Sequence, residues 1–197
     1  LGSISKFYYT IAIAGTHGKT TTSVMLSHIL KNSNIDCTAF FGGISKNYGT
    51  NFLLSDKSNY LVVEADEYDK SFLTLNPDIA VITSLDADHL DIYGDASELE
   101  KSFEEFSQRL KPNGKLFVKN GLPIRGITYG IDDDSDYAAV HVKIIDGSYH
   151  FDVKTPHGLL KDFKFSLPGR HNLSNAIIAL AMSVEYGLPQ PQLAKAL

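Results

Sequence analysis

Apolar and polar positions follow two alternating rhythms over the first two thirds of the chain. Short apolar runs predict buried strands at 10–14 (TIAIA), 37–41 (CTAFF), 60–64 (YLVVE), 79–84 (IAVITS) and 115–119 (KLFVK). Between them stand longer stretches with helical spacing. In 20–31 (TTTSVMLSHILK), Thr22, Met25, Leu26, Ile29 and Leu30 recur so as to share one face, while Ser23, Ser27 and Lys31 fall on the other. Leu99, Phe103, Phe106 and Leu110 predict a second helix over about 97–110, ended by Pro112, Asn113 and Gly114. From about 126 to 167 the rhythm shortens to strands broken at Asp146-Gly147 and Pro156-His157-Gly158, which predicts antiparallel hairpins. A helix over 171–186 stops at Gly187 and Pro189, and 191–197 begins another that is cut off in mid-pattern. Strands alternating with helices, then hairpins, predict an α/β fold: a mostly parallel sheet with a small antiparallel β portion.

Composition narrows the function. The 197 residues are 43% hydrophobic and 21% charged, enough to bury a core without disulfides and too apolar for disorder as the main state. No apolar run approaches the ~18 residues of a membrane helix. The start, LGSISKFYYT, lacks the basic and apolar regions of a signal peptide. A net charge of -5 argues against a nucleic-acid backbone as main partner. The single cysteine, Cys37, excludes an internal disulfide or multi-cysteine zinc site, and a reducing, cytoplasmic setting is expected. Within an apolar strand, it reads as a buried structural thiol.

The chemistry begins at IAIAGTHGKTTT, residues 11–22: strand, glycine turn, Lys-Thr, helix. Gly15 and Gly18 let the backbone approach a phosphate closely, and the helix beginning near Lys19 aims unpaired N–H groups at it. Lys19 reaches the outer phosphates in such a loop, and the Thr20 hydroxyl suits Mg²⁺. The loop is a short variant: Ile13 stands where the full Walker pattern has a glycine. A tight strand–helix turn with a solvated lysine is the plain alternative.

Two acidic segments follow strands. Glu64 closes YLVVE and opens EADEYD, which also holds Asp66, Glu67 and Asp69. SLDADHLDIYG brings Asp86, Asp88, His89 and Asp91 beyond the next strand. Ligands of open α/β sheets bind beyond the carboxyl ends of strands, so Glu64 and His89 fall near the metal of a phosphate loop. A solvated acidic loop and a structural histidine are the alternatives. The set suits Mg²⁺-assisted phosphoryl transfer. A zinc hydrolase needs more His or Cys ligands, there is no GxSxG elbow, and VKNG at 118–121 is not a guanine-reading motif.

Five segments together resemble the Mur ligase family: AGTHGKTTT at 14–22, FGGISKNYGTN at 41–51, VVEADEYDKSFL at 62–73, DADHLDIYG at 86–94 and LPGRHNLSNA at 167–176. The resemblance implies an ATP- and Mg²⁺-dependent ligase of peptidoglycan synthesis that works through an acyl phosphate. It is nearest the alanine-adding branch, whose partners are UDP-N-acetylmuramate and L-alanine. By position it implies that Gly15, Thr16, His17, Gly18, Lys19, Thr20 and Thr21 hold the phosphates. It makes Lys19, Glu64 and His89 catalytic, Thr20, Glu64 and His89 metal-binding, and His171, Asn172 and Asn175 adenine-contacting. Asn172 and Asn175 share a face at a helix start, where N-capping is the alternative. Gly42, Gly43, Gly49, Thr50 and Asn51 are either a muramyl-site lining or an ordinary glycine loop. Some relatives carry a carbamylated lysine after the Asp-His motif; Lys101 is near, but Phe103 and Glu104 occupy the matching positions, which fits the alanine-adding branch. By the same resemblance, residues 1–9 are a linker from an N-terminal domain, 10–197 are the central ATP-binding domain, and a C-terminal domain is absent. A tripeptide-recycling branch, or a nucleotide-binding module without turnover in isolation, are the rival readings.

Overall fold

The computed structural model describes residues 1–33, 35–86 and 96–197. Among them, one sheet of ten strands runs in the order β10-β9-β8-β7-β6-β5-β1-β4-β2-β3. The strands are β1 (Tyr9–Ala14), β2 (Thr38–Ser45), β3 (Thr50–Leu53), β4 (Tyr60–Glu64), β5 (Ile79–Ile82), β6 (Lys115–Lys119), β7 (Ile127–Ile131), β8 (Tyr137–Ile145), β9 (Ser148–Thr155) and β10 (Gly158–Phe165). The helices are α1 (Gly2–Ser5), α2 (Lys19–Asn32), α3 (Ala96–Ser107), α4 (Arg170–Glu185) and α5 (Gln190–Ala196), with a 3₁₀ turn at Ser71–Thr74. Strands β2, β4, β1, β5, β6, β7 and β8 pair in parallel, and β3, β9 and β10 add antiparallel edges.

The strand period of two assigns the layers. Ile11 and Ile13 of β1 face α2 and α4, meeting Leu26, Ile29, Leu30, Leu173 and Ile177. Ala12 and Ala14 face the other way, and their small size admits Phe72, Phe103 and Phe106. Phe72 and Phe106 stack with ring centres 5.0 Å apart. Both faces of β1 are covered, which is why TIAIA reads as a continuous apolar run.

Several expectations need correction. Ser23 and Ser27 are buried rather than solvent-facing, because α2 packs against both the sheet and α4. The glycine segment 42–51 is a hairpin: β2 continues to Ser45 and β3 returns from Thr50. The third helix ends at Ser107, short of Leu110. Cys37 lies one residue before β2, fully buried, and burial pushes its thiol up to about 11. Residues 2–5 form the short helix α1, which packs against the 71–74 turn.

The largest surprise is β7, which pairs in parallel with both neighbours instead of forming a hairpin. Its pairing with β8 overlaps only from Tyr129↔Tyr137 to Ile131↔Ala139. The return path is therefore roughly 10 Å, within reach of the short link 132–136. Asp136 closes that link: its carboxylate accepts from the Thr128 N–H at 2.8 Å and hydroxyl at 2.9 Å. Beyond it, β8–β9 and β9–β10 are the expected antiparallel pairs, each with a bulge. Asp152 ties the two bulges, meeting His141 Nδ1 at 2.9 Å and accepting from the Asp162 N–H at 3.0 Å.

Candidate functional site

The site stands where three parallel strands end together. β1 lies between β4 and β5, with Ile13 opposite Glu64 and Ala14 opposite Ile82. The chain leaves β1 through Gly15–Gly18 and enters α2 at Lys19. Gly18 is the N-cap and no side chain caps the helix, so the first-turn amides and the positive end of the helix dipole serve an incoming anion. Two glycines are required by space and backbone. At Gly15 (φ +124°) a Cβ would lie 2.2 Å from Thr83 Oγ1, and at Gly18 (φ +86°) one would lie 2.6 Å from Asn175 Oδ1.

A hydroxyl latch from the end of β5 shapes the loop. Thr83 Oγ1 lies 2.5 Å from the His17 carbonyl and 3.0 Å from that of Ala14. Ser84 Oγ accepts from the His17 N–H at 2.8 Å and shares a 2.9 Å hydrogen bond with Thr16 Oγ1. The Asp86 N–H donates to Thr16 Oγ1 at 3.1 Å. Thr83 and Ser84 were expected within a strand; β5 ends at Ile82, but the Thr83 N–H still donates to the Ala14 carbonyl and the Thr16 N–H to the Ser84 carbonyl, while the two hydroxyls hold the loop. Two hydroxyl residues closing an apolar run were the signal.

The acidic segment splits by role. Glu67 is fully buried and takes Lys19 Nζ at 2.8 and 3.0 Å, while the Gly15 carbonyl accepts from the same ammonium at 2.8 Å. Glu64 accepts from the Thr20 hydroxyl at 2.9 and 3.0 Å and from the Gly42 N–H at 2.6 Å. Gly42 is close-fitting there, since a Cβ would lie 2.7 Å from the Glu64 carboxylate. Asp66 and Asp69 are exposed and accept from the Tyr68 and Ser71 N–H groups, so they shape turns. The solvated-loop alternative holds for those two alone.

Two cavities flank the loop. One of about 270 Å³ is lined by Thr16, His17, Gly18, Lys19, Thr20, Thr21 and Glu64. A hydroxyl and a carboxylate are hard oxygen donors, and their pairing in a polar cavity at a helix start suits a divalent cation with phosphate. The other, of about 410 Å³, is lined by His17, Gly18, Thr83, Ser84, Asp86, Lys119, His171, Ser174 and Asn175. The loop thus has room for anionic groups on one side and for a flat, polar-edged group on the other. Lys119 was not foreseen here; only the parallel run of β6 beside β5 brings it in.

Of the remaining expected residues, His171 and Asn175 reach the larger cavity. Asn172 donates its side-chain amide to the Pro168 carbonyl at 2.6 Å, and the N-cap of α4 is Gly169 without a side-chain bond, so capping by Asn172 is overturned. His17 lies 3.7 Å from the Asp86 carboxylate, both well exposed. His89, Asp88 and Asp91 lie outside the described residues. Lys101 is exposed and pairs with Glu98 at 2.6 Å, away from both cavities. No helix among the described residues is long and apolar enough to cross a membrane.

Residues 13–183 match the Mur ligase middle domain. Over all 197 residues the chain is 55% identical to the UDP-N-acetylmuramate–L-alanine ligase of Christiangramia forsetii, covering 43% of that protein. The chain thus spans under half the length of the curated relatives it matches. Its fold is similar to the crystal structure of UDP-N-acetylmuramate–alanine ligase from Thermotoga maritima, with a TM-score of 0.85 at 25% identity over 99% of this chain and 45% of that one. It is similar as well to the UDP-N-acetylmuramate:L-alanyl-gamma-D-glutamyl-meso-diaminopimelate ligase from Neisseria meningitides, with a TM-score of 0.84 at 25% identity over all of this chain and 68% of that one.

Proposed function

The chain belongs to the Mur ligase family, and on that premise we propose that it is the ATP-binding central domain of a UDP-N-acetylmuramate–L-alanine ligase. In this reading residues 1–9 lead from an N-terminal domain, 10–197 are the central domain, and a further domain follows in the longer protein. The enzyme works in the cytoplasm, in peptidoglycan synthesis. One observation carries the reading: Lys19, Thr20 and Glu64 converge at the helix start beside a cavity with room for a nucleoside. The identity to an alanine-adding ligase supports alanine as the amino acid.

The chemistry answers a simple difficulty. A carboxylate is a poor acyl donor until one of its oxygens belongs to a phosphate leaving group. Transfer of the γ-phosphoryl group of ATP to the carboxylate of UDP-N-acetylmuramate releases ADP and gives an acyl phosphate. The amine of L-alanine attacks the acyl carbon, phosphate leaves, and the amide forms with loss of a proton. Lys19 and the first-turn amides of α2 hold the phosphates and stabilise charge on the transferring group. Asn175 and His171 offer amide and imidazole edges to adenine. Thr20 and Glu64 fit Mg²⁺, with His89 as a further ligand, and the ion neutralises phosphate charge when bound.

The test is calorimetric titration of Mg-ATP, against Mg-GTP, into the chain and its Lys19→Ala variant. Binding of ATP over GTP that disappears in the variant is expected. The chain alone should ligate nothing, because closure by further domains completes such sites. In the longer protein, Lys19→Ala should lower ligation by at least ~10²-fold, about 2.7 kcal/mol of barrier. Near-normal ligation would remove Lys19 from the reaction. Preference for a tripeptide over alanine in competition would favour the recycling ligase instead.

A further inference from the structure

We propose that Glu67 is a positioning residue that fixes the Lys19 ammonium for phosphoryl transfer, an inference that rests on the nucleotide reading above. Glu67 stands among carboxylates that face solvent, yet its own side chain is fully buried. Both its oxygens meet Lys19 Nζ, and the Gly15 carbonyl takes the same ammonium from the loop side. A carboxylate and a carbonyl thus direct the ammonium's donors before any nucleotide arrives. A buried charge whose partner is withdrawn is costly. Nucleotide that pulled Lys19 away would part a buried carboxylate from its ammonium, so the lysine stays and the phosphoryl group comes to it.

This arrangement has two opposed consequences. The negative charge beside Lys19 weakens its attraction for the triphosphate in the ground state. The fixed position serves the charge that develops during transfer. A lysine released from Glu67 would follow the ground-state phosphates, and binding of that kind does not accelerate the chemical step. Glu67→Gln removes the charge and keeps the size and an oxygen acceptor. It should therefore tighten Mg-ATP by ~3-fold or more while lowering the ligation kcat by ~10-fold or more. A merely structural residue gives no such split, since its loss weakens binding and rate together.

The experiment measures Mg-ATP affinity by calorimetry in the chain, wild type and Glu67→Gln, and kcat in the longer protein with and without Lys19→Met. In the Lys19→Met background, Glu67→Gln should change kcat by less than ~2-fold, because the residue acts through the lysine. Weaker or unchanged ATP binding, an unchanged kcat, or full additivity with Lys19→Met overturns the proposal. Should Glu67→Gln fail to fold, Glu67→Asp keeps the charge and draws it back by one methylene. Affinity should then hold within ~2-fold while kcat falls at least ~5-fold, and an unchanged kcat overturns the proposal. If the wild-type chain and the longer protein both fail to bind Mg-ATP, the nucleotide reading falls and takes this one with it. Wild-type binding with no gain in Glu67→Gln overturns this inference alone.

Discussion

A methyl group at Gly15 has nowhere to go. It would stand 2.2 Å from Thr83 Oγ1 and 2.8 Å from the Ser84 nitrogen, on a backbone whose φ of +124° side chains rarely adopt. Gly15→Ala should cost about 2–4 kcal/mol, lowering Tm by roughly 5–12 °C in a scanning melt. Adding Thr83→Ala removes the side-chain collision but neither the backbone contact nor the strained φ. The double variant should recover only part of the loss, and full recovery would mean that the hydroxyl alone enforces the glycine. Lys19 and Thr20 were legible from sequence because neighbours in the chain fix their place at a helix start. Thr83, Ser84 and Glu67 were not, because their roles depend on which strand lies beside β1, and local pattern is silent on strand order. Glu67 looked like its exposed neighbours Asp66 and Asp69; its burial and the lysine that meets it set it apart.

At the scale of elements, the strands around β1 were readable because both faces are covered and each run is apolar throughout. The parallel course of β7 was not, since a short link between two strands ordinarily means a hairpin. Asp136 and Thr128 make the exception by closing the link on itself. The segment after α2 supplies a test of its own. Asp36, with φ of +59°, joins the helix to the hairpin region by meeting Lys31 at 2.6 Å, Ser55 Oγ at 2.7 Å and the Cys37 N–H at 2.8 Å. Burial opposes its ionisation, but these partners outweigh burial and hold its carboxyl down at about 2. The folded value lies below the ~3.9 of an unfolded aspartate. Its stabilisation is thus complete above about pH 5 and is lost as pH falls toward about 2. Asp36→Asn should lower Tm at neutral pH and flatten its decline between about pH 5 and pH 2, as followed by thermal melts across that range. An unchanged slope would mean that other carboxylates govern the acid limb.

For the molecule as a whole, the site is an assembly of distant pieces. Thr20 and Glu64 are 44 positions apart, Lys19 and Glu67 48, and Thr16 and Ser84 68. The edge built from β8, β9 and β10 is local by comparison: His141 and Asp152, which join its bulges, are 11 apart. Closing short loops precedes closing long ones, so the edge should gain protection early in refolding and the phosphate loop late. Pulse-labelled hydrogen exchange reads this order, and early protection of β1 would contradict it. Nucleotide then finds its partners only in the finished chain. Mg-ATP should leave the early protection of β8–β10 untouched and slow unfolding instead, acting as a clasp on the completed fold and not as a template for making it.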